Sequence, residues 1–236
     1  MPHCSNPDHL YVTVDILILT EAEGKLNLLL SQRTHAPCQH QWALPGQFIS
    51  ISESAEDTVA RLLEEMLPLP SYYSEQLYTF TLPGRDPRGR ILSIAHLVIV
   101  PWKTLQPVLQ QEGVPLKCFT IDSEGENILL RDEAGQPLAM DSLAFDHASI
   151  IRTGITRMQG KIEYTDIGFR FLHDPSAFSL SELQRIFEAV LGKTLDASNF
   201  RRFVRNRYEE TGKIQTSDIT QKKNKGRPAV LYKWHH

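Results

Sequence analysis

The sequence predicts two units: an α/β (α+β) layer domain over residues 1–160, then, after a linker at 161–175, a winged helix-turn-helix over 176–236. Three observations carry this. β-branched apolar stretches alternate with amphipathic helical patterns through the first 160 residues, as a layered core requires. The last 61 residues run helix, helix, then two strand-like stretches around a long basic tip. Charge is also split. From Ser176 onward there are 12 Lys and Arg against 6 Asp and Glu, and before it 13 against 22, in a chain of net charge −3. Such asymmetry points to a nucleic-acid partner for the basic part, with a solvated basic face as the ordinary alternative.

Taken in order, "YVTVDILILT" (Tyr11–Thr20) has the composition of a buried strand. After the turn "EAEGK", "LNLLLSQR" (Leu26–Arg33) reads as the second strand of a hairpin with a loop longer than two residues. Pro37, Pro45 and Gly46 punctuate the next loop. Ser54 is placed to cap a helix whose first turn carries Glu56 and Asp57. Val59, Leu62, Leu63 and Met66 form its apolar face, and Pro68 and Pro70 end it. "LYTFTLP", the polar loop "GRDPRGR" and "ILSIAHLVIVP" make another strand pair, and "LKCFTID" and "NILLRD" two shorter strands. Asp146–Ile162 looks helical despite Gly154.

In the second unit Ser179 and Glu182 form a capping box. Leu183, Ile186, Phe187, Val190 and Leu191 form the apolar stripe that follows it. A second helix begins at Asp196 or Ser198, with Phe200, Phe203 and Val204 inward and Arg201, Arg202, Arg205 and Arg207 at the surface. "IQTSD" and "VLYKW" flank the basic tip "ITQKKNKGRPA".

The stretch "LPGQFISISESAEDTVARLLEEMLPLP" resembles the Nudix box, G-x5-E-x7-R-E-U-x-E-E-x-G-U, where U is a bulky aliphatic. That resemblance implies a loop and helix whose carboxylates hold divalent cations against a pyrophosphate, since such cations take oxygen ligands and neutralise phosphate charge. Glu53, Arg61 and Glu65 match the pattern. Gln47 stands at the first Gly, Leu62 and Met66 at two helix Glu positions, and Pro68 at the late Gly. Glu64 points about 100° away from Glu65 on a helix and does not replace a lost ligand. The metal ligands are therefore vestigial (Glu53 and Glu65), with no catalytic residue and no cofactor expected. Arg33, Trp42, Phe48, Arg85 and Arg88 are candidate ligand contacts, because guanidinium forks suit phosphate and aromatic faces suit a base. A plain core role for Trp42, and a solvated tip for Arg85 and Arg88, are the bland readings.

The segments "FSLSELQRIFEAVLGKTLDASNFRRFV" and "KGRPAVLYKW", with "RDPRG" and "AFDHASII", resemble the NrtR family of Nudix-related transcriptional regulators over nearly the whole chain. The resemblance implies a homodimeric repressor of NAD-related metabolism that binds a palindromic operator and responds to ADP-ribose or a related metabolite. Some relatives answer to a sugar instead. Asn199, Arg201, Arg202 and Arg205 on the candidate recognition helix would meet bases, since Asn pairs with adenine and Arg with guanine. Lys222, Lys223, Lys225 and Arg227 at the wing would meet phosphates or a minor groove.

No apolar run approaches the roughly 18 residues that cross a bilayer. The start "MPHCSNPDHLY" lacks the pattern of a secretory signal. Cys4, Cys38 and Cys118 are odd in number and widely spaced, without disulfide or zinc spacing. These features predict a cytoplasmic protein with no membrane partner. The rival readings are a Mg2+-dependent ADP-ribose or nucleoside-diphosphate pyrophosphatase using Glu53, Glu64 and Glu65, and a ligand-independent DNA-binding scaffold.

Overall fold

The computed structural model of the chain describes residues 9–124, 127–217 and 230–235. Its centre is β1 (Tyr11–Ala22), whose residues from Thr13 to Glu21 are all buried. Even-numbered side chains Val14, Ile16 and Ile18 face one layer, and odd-numbered Leu17 and Leu19 face the other. That period-two split is why the run is mostly apolar on consecutive residues: both faces of the strand are covered. β1 pairs antiparallel with β2 (Lys25–Gln32) and β4 (Gly46–Phe48), and parallel with β6 (Ile91–Ile99). With β5 (Tyr73–Phe80), β7 (Leu116–Glu124), β8 (Asn127–Arg131) and β9 (Pro137–Leu138), the sheet order is β5-β6-β1-β2-β7-β8-β9, and β3 (Trp42–Ala43) pairs with β2.

The first hairpin is tighter than its sequence suggests. β1 and β2 extend to the Ala22–Lys25 pair, leaving a two-residue turn of Glu23 and Gly24 with φ of 54° and 78°. Two successive positive φ values match the twist of the flanking strands. Buried Glu21 explains the extension: its carboxylate accepts the Gly24 amide at 2.7 Å.

On the even face lie α1 (Ala55–Met66) and α2 (Trp102–Leu109). α1 starts at the expected Ser54 cap, which closes a reciprocal box with Asp57. Its Leu62, at a Nudix carboxylate position, is buried in this layer. α2 has no counterpart in the sequence reading, where Pro101 and Pro107 mask its pattern. On the odd face lies α3 (His147–Ile162), with Ile150, Ile151, Ile155, Met158 and Ile162 buried. A Cβ on Gly154 would stand 2.2 Å from a Leu17 methyl, so this glycine lets the helix approach the sheet.

The linker expected at 161–175 is packed rather than free. Ile162, Ile167, Phe169, Phe171 and Leu172 are all buried, and a 3-10 turn spans Ile167–Phe171. Phe169 stacks on Trp234 (5.0 Å, 14°) and meets Tyr208 and Phe178 edge-on at 4.9 and 5.6 Å. One apolar cluster therefore runs from Leu17 through α3 to Trp234. Around its far end sit α4 (Leu180–Leu191) and α5 (Ala197–Val204). A three-stranded sheet completes this end, in the order β10 (Phe178–Ser179), β12 (Leu231–Trp234), β11 (Ile214–Thr216). β10 is too short to leave a periodic signal. Polar contacts reinforce the junction: Arg185 on α4 donates to Glu21 at 3.1 Å, and the Tyr208 hydroxyl donates to the Thr165 carbonyl at 3.1 Å.

Removing Phe169 should therefore weaken both units together. Phe169→Ala is expected to cost about 3–5 kcal/mol and to shift a single thermal transition. Calorimetry showing two transitions, only one of them displaced, would contradict a shared core.

Candidate ligand pocket and DNA-reading helix

β1, β4, the loop between β5 and β6, and the start of α3 enclose a cavity of about 640 Å³. Its floor is a buried polar cluster. Arg85 donates to Asp15 Oδ2 at 3.2 Å and, through two nitrogens, to Asp146 at 2.9 and 2.6 Å. His147 Nδ1 accepts the Leu44 amide at 2.9 Å, which places the ring proton on Nε2, 3.5 Å from Asp15 Oδ1. Burial acts to raise the Asp15 carboxyl, but facing His147 and Arg85 outweighs it and holds the group at about 2, against an ordinary 3.8. Gly46 must lack a side chain here, since a Cβ would fall 2.2 Å from Asp15 Oδ1 and 2.8 Å from the Val14 carbonyl.

Two arginines and two phenylalanines form the mouth. Arg88 pairs with Asp86, the shortest contact being 2.6 Å, and its guanidinium lies 5.2 Å over each of Phe48 and Phe145. Arg33 lies 4.7 Å over Phe145 and donates to the Pro37 carbonyl at 2.9 Å. Burial, and then the neighbouring Arg88 charge, lower the Arg33 guanidinium from its ordinary value, and it remains charged. An anion at the mouth would relieve that repulsion. Phe145 has φ of 55°, a left-handed conformation that costs a side-chain-bearing residue about 1–2 kcal/mol. Its position immediately before α3 is fixed by the clamps on Asp146 and His147.

The third wall carries the Nudix carboxylates, and Arg61 has taken them. Arg61 donates to Glu53 at 2.7 and 2.9 Å, to Glu65 at 3.3 Å, and to Gln47. Gln47 in turn donates to Glu65 at 3.3 Å. Hydrogen bonds from Arg61 draw the Glu53 carboxyl down to about 2. Divalent cations need several free carboxylate oxygens converging on one point. Here the two available carboxylates are tied to a guanidinium, Leu62 is buried in the core, and Met66 is apolar, so the donor set does not fit such an ion. Among the described residues no group of three His, Cys, Asp or Glu is arranged to hold a metal.

Of the contacts expected from sequence, Arg33, Phe48, Arg85 and Arg88 line this cavity. Trp42 does not. Its indole packs edge-on against Phe119 at 5.0 Å, with the Lys117 ammonium 5.8 Å over the ring, away from this cavity's lining. Arg85 is at the floor and almost fully covered, so it holds the pocket's shape instead of reaching for phosphate. Sequence reasoning missed Asp15, Phe145 and His147. Asp15 did leave a signal, as the one charge inside the apolar run "YVTVDILILT".

On the winged helix, α5 begins at Asp196, whose side chain accepts the Asn199 amide at 2.9 Å. Phe200 and Val204 are buried, while Asn199, Arg201, Arg202 and Arg205 are exposed on the opposite side. Arg202 donates to Asn199 at 3.0 Å. Arg205 ends the helix in a π-turn, Arg205–Glu209, and faces Glu210 at 3.8 Å. Arg207, expected at the surface, turns inward to the Tyr164 carbonyl. The wing residues Lys222, Lys223, Lys225 and Arg227 lie outside the described residues. No helix among the described residues is long and apolar enough to cross a membrane.

Two domain families match the chain: the NUDIX domain over residues 9–138 and the NrtR DNA-binding winged helix domain over residues 168–234. The ADPR responsive transcriptional repressor NtrR of Acinetobacter baylyi is 32% identical over 226 residues, which cover 94% of this chain and 81% of that protein. The crystal structure of Shewanella oneidensis NrtR complexed with a 27mer DNA aligns over 95% of this chain and 93% of that one, with TM-score 0.73 and 28% identity. An ADP-ribose pyrophosphatase of Methanocaldococcus jannaschii is 31% identical over 144 residues, 61% of this chain and 72% of that protein.

The Asp15 cluster makes stability depend on pH in a set direction. Asp15→Asn is expected to cost about 3–5 kcal/mol at neutral pH, because it leaves Arg85 and His147 facing a neutral group. The Asp15 carboxyl lies at about 2 when folded and near 3.8 when unfolded. Its contribution is therefore complete above about pH 4 and disappears as pH falls toward 2. Urea denaturation of both proteins should show their difference narrowing over that window and constant above it.

Proposed function

The chain belongs to the NrtR family of Nudix-domain transcriptional regulators, and from that membership we propose that it is a metabolite-responsive repressor. It binds operator DNA through the winged helix, and its Nudix pocket takes ADP-ribose or a closely related metabolite that controls DNA binding. One observation carries this reading. The pocket and the arginine-bearing face of α5 are built on the same apolar cluster, with α3 beginning at the pocket and ending against the DNA-binding unit. A ligand that favours one arrangement of α3 therefore changes how α5 is presented, whereas a ligand indifferent to the arrangement would switch nothing.

The pocket holds its ligand without cutting it. The Arg61 ties to Glu53 and Glu65, and the apolar Leu62 and Met66, support this. Pairing of two copies in a homodimer would place two α5 helices on successive major grooves, where Arg201, Arg202 and Arg205 meet guanine edges or phosphates and Asn199 meets adenine. A protein of this kind works beside cytoplasmic DNA.

A second reading is ADP-ribose hydrolysis, favoured by the similarity to the M. jannaschii pyrophosphatase. It would require Arg61 to release Glu53 and Glu65 to a Mg2+ ion.

Both readings meet in one experiment: anisotropy titration of a duplex selected by binding from the chain's own genome, with and without ADP-ribose and Mg2+, with AMP release followed in the same samples. ADP-ribose is expected to weaken duplex binding about tenfold or more, within the usual range of coupling, with no AMP released. Turnover that disappears in Glu65→Gln would establish the enzyme instead. Individual Ala substitutions at Arg201 and Arg202 sort their roles. A base contact costs about 1–3 kcal/mol and relaxes preference at one position, while a phosphate contact weakens all sequences alike and lowers the salt slope by about one.

A further inference from the structure

We propose that Phe48 and Phe145 form the stacking surface for the planar base of the effector, and that Arg88 lies over this surface until the base displaces it. The inference deepens the proposed function and rests on it, since it presumes a nucleotide-type effector in this cavity.

A guanidinium is a flat cationic plate, and in stacking on an aromatic face it uses the same surface that a nucleobase would. Arg88 does this on two rings, 5.2 Å from each, and Arg33 takes a further position 4.7 Å over Phe145. Both phenyl rings are only half-buried and both line the cavity, so a ligand entering the mouth meets their faces. Phe145 is also held in a strained backbone conformation, with φ of 55°, between buried Ala144 and the clamped pair of Asp146 and His147. Strain kept in place by so many contacts fixes the direction in which the ring points. The ring faces the cavity and two cations and rests at a tilt on the buried His147 ring, 5.4 Å away.

The chemistry of the site then selects the ligand class. Asp86 is buried and Arg85 beside it is clamped, so the loop stays in place, and Arg88, the more exposed partner of the pair, leaves the rings by rotation of its own long side chain. Arg33 and Arg88 stand close enough to repel each other, and a diphosphate between them would be held by both. A planar base on the rings joined to a diphosphate at the arginines describes a nucleoside diphosphate derivative. A sugar phosphate lacking a base would meet the arginines and leave the rings unused.

Calorimetry with ADP-ribose, ribose 5-phosphate and adenosine tests this on the full chain and on Phe145→Leu, Phe145→Trp and Arg88→Ala. Leucine keeps an apolar side chain at the same strained position, and the thermal midpoint reports whether each variant is folded. Phe145→Leu is expected to weaken ADP-ribose roughly ten- to a hundred-fold, the usual size of one base stack, with little effect on ribose 5-phosphate. Phe145→Trp should retain ADP-ribose binding. Arg88→Ala should bind adenosine more tightly than the wild type does, because the competing plate is gone. Equal ADP-ribose affinity in wild type and Phe145→Leu overturns the stacking surface, and weaker adenosine binding by Arg88→Ala overturns the displacement. Wild-type protein that binds no ADP-ribose overturns the proposed effector itself, and the inference with it.

Discussion

Burying a carboxylate in the middle of a sheet is costly unless its charge is met, and Asp15 is met from two sides by Arg85 and His147. Much of the pocket follows from that requirement. Arg85 has to come in from the β5–β6 loop, and Asp146 completes its pairing, which fixes the loop against the start of α3. His147 has to present Nε2, so its Nδ1 takes the Leu44 amide and locks the loop before β4. Gly46 has to be bare. The one charge within the run Tyr11–Thr20 thus brings together three segments distant in sequence.

The opposite wall reaches charge balance by a different route. A helix and loop with carboxylates directed at one point would repel themselves without cations. Here Arg61 lies between Glu53 and Glu65, and Gln47 links Arg61 to Glu65. The wall is therefore neutralised from within the chain, and the two guanidinium groups at the mouth, Arg33 and the Asp86-paired Arg88, stand apart from it.

Local signals explain what could be read in advance. The β-branched runs, the Ser54 and Asp196 caps and the apolar stripe of α4 each act within a few residues, and each element formed where its pattern lies. α2 and β10 escaped, one interrupted by prolines and the other only two residues long. At the pocket, residue type was legible but pairing was not. That arginines and aromatics would gather near "QWALPGQF" and "GRDPRGR" is visible in their chemistry. That Phe145 and not Trp42 turns to the cavity depends on the packing of Trp42 against Phe119, and on a helix start about a hundred residues downstream. The segment at 161–175 looked like a connector because its apolar residues have no strict period. They pack as a 3-10 turn, whose spacing resembles neither a helix stripe nor a strand.

That buried turn bears on how such a protein can diversify. Phe169 packs on Trp234, Tyr208 and Phe178 within the winged helix, while α4 of that unit lies against β2 and α3 and Arg185 reaches Glu21 of β1, so the two units share one apolar cluster with no seam along which they can be separated cleanly. Recombination that exchanged one half for a foreign counterpart would expose apolar surface on both. New specificities for metabolite or for operator are therefore reached more easily by substitution, at the cavity mouth or on the outer face of α5, than by shuffling whole modules.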